Sequence, residues 1–418
     1  MIREVRTSGP LHATVHVPGS KSITNRALIC ASLAPGESRI AGASDSDDTA
    51  LMVNGLNQLG VLVRADGDTL IVEGKGGLLY APKFPIPVGN AGTTLRFLLS
   101  LAGLARGTTV LAGSERMGER PNEDLLEALR AQGIPVRHEE GSARFEVTGG
   151  ALAGGALEVR SGASSQFLSS LLLVAPYASR PMSVAGAGGL ASATYLGLTL
   201  DVARHFGAEI AQSGLATFQV DNRRRYIPAV MRVEPDASSA SYPLAAAAIA
   251  GGDVFVPGVR EDSRQGDAAF GSMLRSMGCK VEERDGGLHA VAAPLHGISR
   301  DMHGTPDLLP TLAAVALFAD GPTRMTNIAQ ARHKESNRLE GLADELRKLG
   351  ADVRVSGDGL EIHPLPLHGA LLDTHDDHRL AMAFALIGLR VPGVKIENPD
   401  CVRKSFPRFW KEFDNMTP

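Results

Sequence analysis

Cysteine is scarce in this chain: Cys30, Cys279 and Cys401 are the only three among 418 residues. Odd in number and far apart, they make neither a disulfide framework nor a zinc-ligand spacing, and a reducing cytoplasm is the expected location. No apolar run approaches the ~18 residues of a membrane helix, and Met1-Ile2-Arg3-Glu4 lacks the apolar stretch of a signal peptide. The formal charge of −4 gives no global reason to expect nucleic acid or an anionic membrane as partner, so any anion binding must come from local clusters of Lys and Arg. With aromatics at 5%, hydrophobics at 44% and charged residues at 21%, the composition is that of a soluble globular protein. Its length exceeds one ordinary core, which points to two domains.

What the chain does have is a repeat. Six alanine- and leucine-rich helix patterns open near Ser22, Gly92, Ser164, Ser238, Asp307 and Asp377, with successive starts 70, 72, 74, 69 and 70 residues apart. A period that regular means one supersecondary unit built six times. After each apolar helix comes an amphipathic one, and five of these stop at Gly60, Gly133, Gly207, Gly278 and Gly350. Glycine takes the left-handed conformation after a helix at least cost. The alternating stretches that follow, 61–73, 134–148, 208–220, 279–292 and 351–363, read as β-hairpins. The sixth unit has its apolar helix over 379–389 and its amphipathic helix over 405–413, but no hairpin. Residues 1–17 read as a hairpin with no helices before it, and are expected to complete that last unit. The resulting domains are 19–228 and 1–18 plus 229–418. Chain crossings near 18–21 and 225–235 would form a hinge that closes on ligand.

Helices that are apolar all round are buried, and their amino-termini present N–H groups and a positive dipole end to anions. The residues at these six mouths are therefore the candidate site. The first mouth, Gly19-Ser20-Lys21-Ser22, lacks the Gly-x-x-x-x-Gly-Lys spacing of a nucleotide loop. Lys21 and Arg26 flanking a helix start read as ligands for phosphate or carboxylate; a solvated cation and an N-cap serine is the plain alternative. Gly92 and Thr93 open the second mouth in a turn that allows close backbone approach. Arg120 stands just before the next helix, where the dipole disfavours a cation unless an anion is bound. Ser164, Ser165 and Gln166 open the third, with Ser192 and Tyr195 at the following helix start. Arg332–Arg338 is the strongest local cluster, because helical spacing would put Lys334 and Arg338 on one face, where like charges repel unless an anion lies between them. Glu335 and Asp307 supply two carboxylates amid these cations, suited to divide acid and base roles. A charged amphipathic face is the plain alternative there. In His375-Asp376-Asp377-His378-Arg379 adjacent residues diverge too far to gather one metal ion, so Arg379 is read as an anion ligand and the others as packing or capping groups. Lys404 joins the cations.

Taken together, these segments closely resemble the EPSP synthases (3-phosphoshikimate 1-carboxyvinyltransferases) of the enolpyruvyl transferase family, over nearly the whole chain. The resemblance implies a two-domain inside-out α/β barrel with six βαβαββ repeats, three per domain. It implies transfer of the enolpyruvyl group of phosphoenolpyruvate to the 5-hydroxyl of shikimate 3-phosphate, with no metal or organic cofactor. Shikimate 3-phosphate would be held by Lys21, Ser22, Arg26, Ser164, Ser165, Gln166, Ser192, Tyr195, Asp307 and Lys334. Gln330 stands where the family has asparagine, with Asn327 as the alternative contact. Phosphoenolpyruvate would meet Lys21, Gly92, Thr93, Arg120, Gln166, Arg338, Arg379 and Lys404. Asp307 and Glu335, with Lys21 nearby, would carry the proton transfers. Phe97 occupies a position that is often proline in relatives, and Asn337 one where aspartate is common. Gly92 is the small residue associated with sensitivity to glyphosate, which would compete with phosphoenolpyruvate. A monomer is expected.

Two rival readings are set against this one. The sibling that uses UDP-N-acetylglucosamine as acceptor expects a reactive cysteine before Arg120, and Ala112–Glu119 contains none. A non-catalytic anion-binding repeat protein would need no paired carboxylates beside the cations.

Overall fold

The computed structural model describes residues 1–189 and 194–417. The chain divides into two compact units, Gly19–Val233 and Met1–Pro18 joined with Glu234–Pro418. Among the described residues the helices run α1 (Lys21–Leu33), α2 (Asp47–Gln58), α3 (Gly92–Ala102), α4 (Glu115–Glu119), α5 (Glu123–Ala131), α6 (Ser165–Val174), α7 (Thr194–His205), α8 (Ala237–Ala250), α9 (Phe270–Ser276), α10 (Leu309–Ala316), α11 (Arg338–Lys348), α12 (His378–Gly388) and α13 (Phe409–Met416).

The apolar helices are α1, α3 and α6 in one unit and α8, α10 and α12 in the other. In α1 every residue from Ile23 to Leu33 is buried, and in α8 every residue from Ala237 to Ile249. Helices without a polar face have no stable place at a surface, and here each set of three packs together at the centre of its own unit. The amphipathic helices α2, α5, α7, α9 and α11 each end on a glycine with left-handed backbone: Gly60 (φ +93°), Gly133 (+81°), Gly207 (+87°), Gly278 (+111°) and Gly350 (+90°). An antiparallel hairpin follows each one, 62–66 with 69–75, 136–138 with 144–149, 210–213 with 217–220, 280–284 with 287–291, and 352–356 with 359–363.

Among the described residues five sheets have four strands and one has three. In each four-stranded sheet the strand after the apolar helix pairs parallel with a leading strand and antiparallel with the hairpin, as in Ile86–Gly89, Gly107–Gly113 and Arg144–Gly149. Two leading strands are exchanged along the chain. Leu11–Thr14 precedes α1 but pairs with Gly252–Pro257 after α8, while Val230–Arg232 precedes α8 but pairs with Pro35–Ala41 after α1.

The amino-terminal hairpin expected over 1–17 does not form. Ile2–Glu4 pairs antiparallel with Lys395–Glu397, completing the three-stranded sixth sheet, and Leu11–Thr14 joins the fourth sheet. A lone two-stranded hairpin is marginal in water, whereas each strand here gains a larger sheet and buries its own anchors, Val5 on one side and Leu11 and Val15 on the other. The last helix also differs from the expectation over 405–413. Pro399–Lys404 forms a 3-10 turn, and α13 starts only beyond Pro407, at Phe409.

The amino-terminal segment is locked against α12 at Gly388, where an added Cβ would lie 2.4 Å from the Val5 Cβ. Gly388→Ala is therefore expected to lower stability by about 1–3 kcal/mol through overpacking, despite alanine's better helix propensity. Urea unfolding measures it, and an unchanged or raised midpoint would contradict this packing.

Candidate active site

In the unit Gly19–Val233 the first helix start carries Lys21 and Arg26. Ser20 caps α1, its Oγ accepting from the Ile23 amide. Lys21, at the first helical position, pairs with Asp48 of α2 at 2.7 Å. Arg26 is 1% exposed and lies one turn deeper. Its guanidinium donates to Thr199 Oγ1 (2.8 Å), the Ser22 carbonyl (2.9 Å), the Tyr195 carbonyl (3.2 Å) and Ser169 Oγ (3.4 Å). It also lies over the rings of Phe97 and Tyr195. The large residue at position 97 thus serves as a floor for Arg26. Burial lowers the Arg26 pKa to about 10.

A second arginine is buried beside Gly92. Arg120, 5% exposed, donates to the Asn90 carbonyl (2.9 Å) and to Asn90 Oδ1 (3.1 Å), while its Nε has no hydrogen-bond partner among the described residues. A Cβ at Gly92 would stand 2.6 Å from Arg120 Nη2, so only glycine leaves the guanidinium where it is. A cleft of about 550 Å³ flanks it, lined by Gly118, Glu119, Pro121, Asn122, His138 and Glu140.

A relay joins this arginine to the third helix start. Thr93 Oγ1 accepts from Gln166 Nε2 (3.0 Å), and Gln166 Oε1 accepts from Arg96 (2.8 Å). Arg96 also donates to Asn122 Oδ1 (3.0 Å) and the Pro121 carbonyl (2.9 Å), and Asn122 Nδ2 donates to the Arg120 carbonyl (3.0 Å). Ser164 caps α6 through the Gln166 amide, and Ser165 is buried behind it. Tyr195 is half-buried in the first turn of α7. Ser192 lies outside the described residues.

In this unit Arg26 and Arg120 have no carboxylate within ion-pair distance among the described residues. A buried charge without a counter-charge costs several kcal/mol, which a bound anion recovers.

The other unit gathers its own carboxylates. Arg338 opens α11, has no exposed side-chain area, and pairs with Asp377 (2.9 Å), Asp307 (2.9 Å) and Glu335 (2.8 Å). Asp307 also meets Arg379 (3.1 Å) and Lys334 (3.3 Å). Asp377 caps α12 through the Arg379 amide and accepts from Ser336 Oγ. Burial pushes the Asp307 pKa up, but Arg379, Lys334 and Arg338 together outweigh it and hold the carboxyl well below its ordinary range. Lys334 and Arg338 do not share a helix face as their spacing suggested. Lys334 has extended backbone after the 3-10 turn Ala329–His333, and the anion between the two cations is Asp307 itself.

Gln330, in that 3-10 turn, donates to the His303 carbonyl at 3.4 Å, and Asn327 donates to Asp301 at 2.6 Å. Lys404 ends the turn Pro399–Lys404, half-buried.

Sequence reasoning missed Asp48, Asn122 and Asp267, and did not see Arg96 as a link. Asp267 is buried and accepts a hydrogen bond from Ser238 Oγ. Burial, reinforced by the charge of Asp307 and opposed by Arg379, pushes its carboxyl up to about 6. A raised carboxyl pKa stabilises the folded state below its unfolded value near ~3.9, and that stability is lost as pH rises through the folded value. Asp267→Asn is therefore expected to gain on the wild type between pH 4 and pH 7, read by urea unfolding across that range. A difference that stays constant with pH contradicts a buried, titrating Asp267.

The sequence profile of the EPSP synthase (3-phosphoshikimate 1-carboxyvinyltransferase) family matches residues 5–413. A 3-phosphoshikimate 1-carboxyvinyltransferase of Methanoculleus marisnigri is 44% identical over 418 aligned residues, covering 98% of each chain. One from Shewanella amazonensis is 42% identical over 97% of this chain and 96% of that protein. Among solved structures, EPSP synthase from Acinetobacter baumannii superposes with a TM-score of 0.82 at 25% identity, covering 100% of this chain and 98% of that one. The enolpyruvyl transferase NikO from Streptomyces tendae shares the fold, with a TM-score of 0.80 at 19% identity over 99% of this chain and 97% of that one. The fold agrees with these likenesses, and the chain belongs to the EPSP synthase family.

Proposed function

We propose that this enzyme transfers the enolpyruvyl group of phosphoenolpyruvate to the 5-hydroxyl of shikimate 3-phosphate and releases phosphate. The observation that carries the reading is the match of the family profile along residues 5–413, in a chain whose buried Arg26 and Arg120 have no carboxylate partners among the described residues. Both substrates are multiply anionic, and two such molecules repel each other unless fixed cations hold them together.

Shikimate 3-phosphate is assigned to Lys21, Ser22, Arg26, Ser164, Ser165, Gln166, Ser192, Tyr195, Asp307, Gln330 and Lys334. Phosphoenolpyruvate is assigned to Lys21, Gly92, Thr93, Arg120, Gln166, Arg379 and Lys404. Arg338 joins that set through the groups it orients, since its Nε, Nη1 and Nη2 all donate to Asp307, Glu335 and Asp377.

The chemistry asks for one proton to be given and one taken in each half-reaction. The methylene carbon of phosphoenolpyruvate gains a proton, and C2 becomes electrophilic. The 5-hydroxyl oxygen bonds to C2 as its proton passes to a base. The tetrahedral intermediate then breaks its C2–O bond to phosphate and gives up a methyl proton, which restores the vinyl group. Asp307, kept ionised by three cations, suits the base that takes the hydroxyl proton. When anionic substrates draw on Lys334 and Arg379, the hold on Asp307 weakens and its basicity rises. Glu335 and Lys21 are the remaining proton-transfer groups, with Lys21 paired to Asp48 at 2.7 Å.

Cys30 and Cys279 are buried, Cys401 is half-buried and none is in a disulfide, which supports a cytoplasmic enzyme. Each unit has its own apolar core, which supports a monomer. No helix of the described residues is long and apolar enough to cross a membrane.

The reading is tested by phosphate release from phosphoenolpyruvate with either shikimate 3-phosphate or UDP-N-acetylglucosamine as acceptor. Release is expected with the first only, inhibited by glyphosate in competition with phosphoenolpyruvate. Gly92→Ala, by pushing Arg120 aside, is expected to raise KM for phosphoenolpyruvate and weaken glyphosate inhibition by at least roughly tenfold each. Release with the sugar nucleotide alone, or turnover indifferent to millimolar glyphosate, would overturn it.

A further inference from the structure

We propose that His375 is a positioning residue for the cations assigned to phosphoenolpyruvate, acting through the turn 373–377 that it clamps to α11; this rests on the assignment of Arg379 and Lys404 made above. His375 and Asp376 are consecutive non-glycine residues in the left-handed region, with φ +49° and +53°. That backbone is disfavoured for any residue with a Cβ, and it persists only where the surroundings hold it in place. Two such residues in a row, one residue ahead of the cap of α12, point to a turn whose shape matters.

The clamp is built on one face of α11. Gly341 and Glu345 lie four residues apart, and the His375 ring sits on both. A Cβ at Gly341 would come within 3.1 Å of His375 Cδ2, and His375 Nε2 lies 3.2 Å from Glu345 Oε1. Glu345 is 2% exposed. Its carboxylate also accepts from the Asp373 amide (2.9 Å) and from Lys348 Nζ (2.7 and 2.8 Å), so one buried group grips the turn by backbone and by side chain.

The other end of the turn is tied to the same helix. Arg338, in the first turn of α11, bonds Asp377, and Asp377 caps α12 through the Arg379 amide. A third tie runs to the segment before Lys404. Asn398 Nδ2 donates to Asp376 Oδ1 at 2.9 Å, and Asn398 immediately precedes the turn Pro399–Lys404. Three elements that carry site cations therefore converge on these five residues. Without the imidazole, the turn loses its contact with Glu345 and is drawn toward ordinary backbone angles. Asp377 and Arg379 shift with it, although neither has been changed. Positional errors of about 1 Å at a binding group cost up to ~100-fold in turnover.

The experiment compares steady-state kinetics and thermal unfolding of the full-length enzyme with its His375→Ala, His375→Gln, His375→Gly and Arg379→Ala variants. His375→Ala is expected to raise KM for phosphoenolpyruvate about tenfold while KM for shikimate 3-phosphate stays within about twofold. His375→Gln, which keeps a donor for Glu345, recovers most of that loss. His375→Gly, free of the left-handed penalty but still without the contact to Glu345, shows a smaller split in KM in the same direction without a lower melting temperature, and it stands in if the alanine variant does not fold. An unchanged KM for phosphoenolpyruvate, an equal rise in both KM values, or no recovery in the glutamine variant overturns the inference. If Arg379→Ala itself leaves KM for phosphoenolpyruvate unchanged, the site assignment beneath it falls. If Arg379→Ala raises that KM and His375→Ala does not, the positioning role alone falls.

Discussion

A guanidinium removed from water must find negative charge, and much of the site's structure follows from where that charge comes from. In the unit that contains α11 the protein supplies it: Arg338, with no exposed side-chain area, is bonded to Asp307, Glu335 and Asp377. These carboxylates precede α10, α11 and α12, so one side chain ties three helix starts together. In the unit that contains α1 no carboxylate among the described residues supplies it to Arg26 or Arg120. Arg26 and Arg120 are buried with hydroxyls, carbonyls and an asparagine for partners. Removing one member of a buried ion pair costs about 3–5 kcal/mol, so the first arrangement is rigid, while the second is electrostatically incomplete without an anion. A transferase acting on two polyanions has use for both.

The architecture makes this burial possible. Helices buried on every side leave their amino-termini to meet ligand, and α1, α3, α6, α10 and α12 begin within two residues of an assigned ligand. Small changes there are felt directly. Gly92 leaves no room for a Cβ beside Arg120, and the Arg26 guanidinium lies over the Phe97 ring. Asp307 stands out because three cations depress its proton affinity, while nearby Asp267 is driven the other way by burial. Two carboxyl groups in one region are thereby pushed apart in acidity, the arrangement that lets one fold separate acid from base at a single pH.

Much of this was legible in the chain before any coordinates. Periodicity located the six buried helices, and glycines after the amphipathic helices located the five hairpins, because both signals are local. Family resemblance named the mouth residues. What could not be read was anything that depends on distant segments meeting. Lys334 and Arg338 looked like a charged helix face, since four-residue spacing fits a helix; the 3-10 turn and the intervening Asp307 were invisible. The Arg96–Gln166 bond and the Glu345–His375 clamp span 70 and 30 residues. The strands Ile2–Glu4 and Leu11–Thr14 looked like one hairpin because a turn signal, Gly9-Pro10, lies between them. Each instead completes a different sheet, a choice made by the partners' vacant edges.

That Arg26 is buried to receive an anion from outside is our inference from its lack of a carboxylate within ion-pair distance among the described residues. It is tested most directly by the unfolding free energy of the wild type and of Arg26→Met, each with and without shikimate 3-phosphate. The wild type is expected to gain about 3 kcal/mol at a hundredfold excess of ligand over Kd. The methionine variant is expected to match or exceed the ligand-free wild type, because replacing an unbalanced buried charge with an apolar side chain removes a cost. At the same ligand concentration it should gain almost nothing. A variant that is strongly destabilised without ligand, yet still stabilised by shikimate 3-phosphate, would show that Arg26 is an ordinary structural residue and contradict the account.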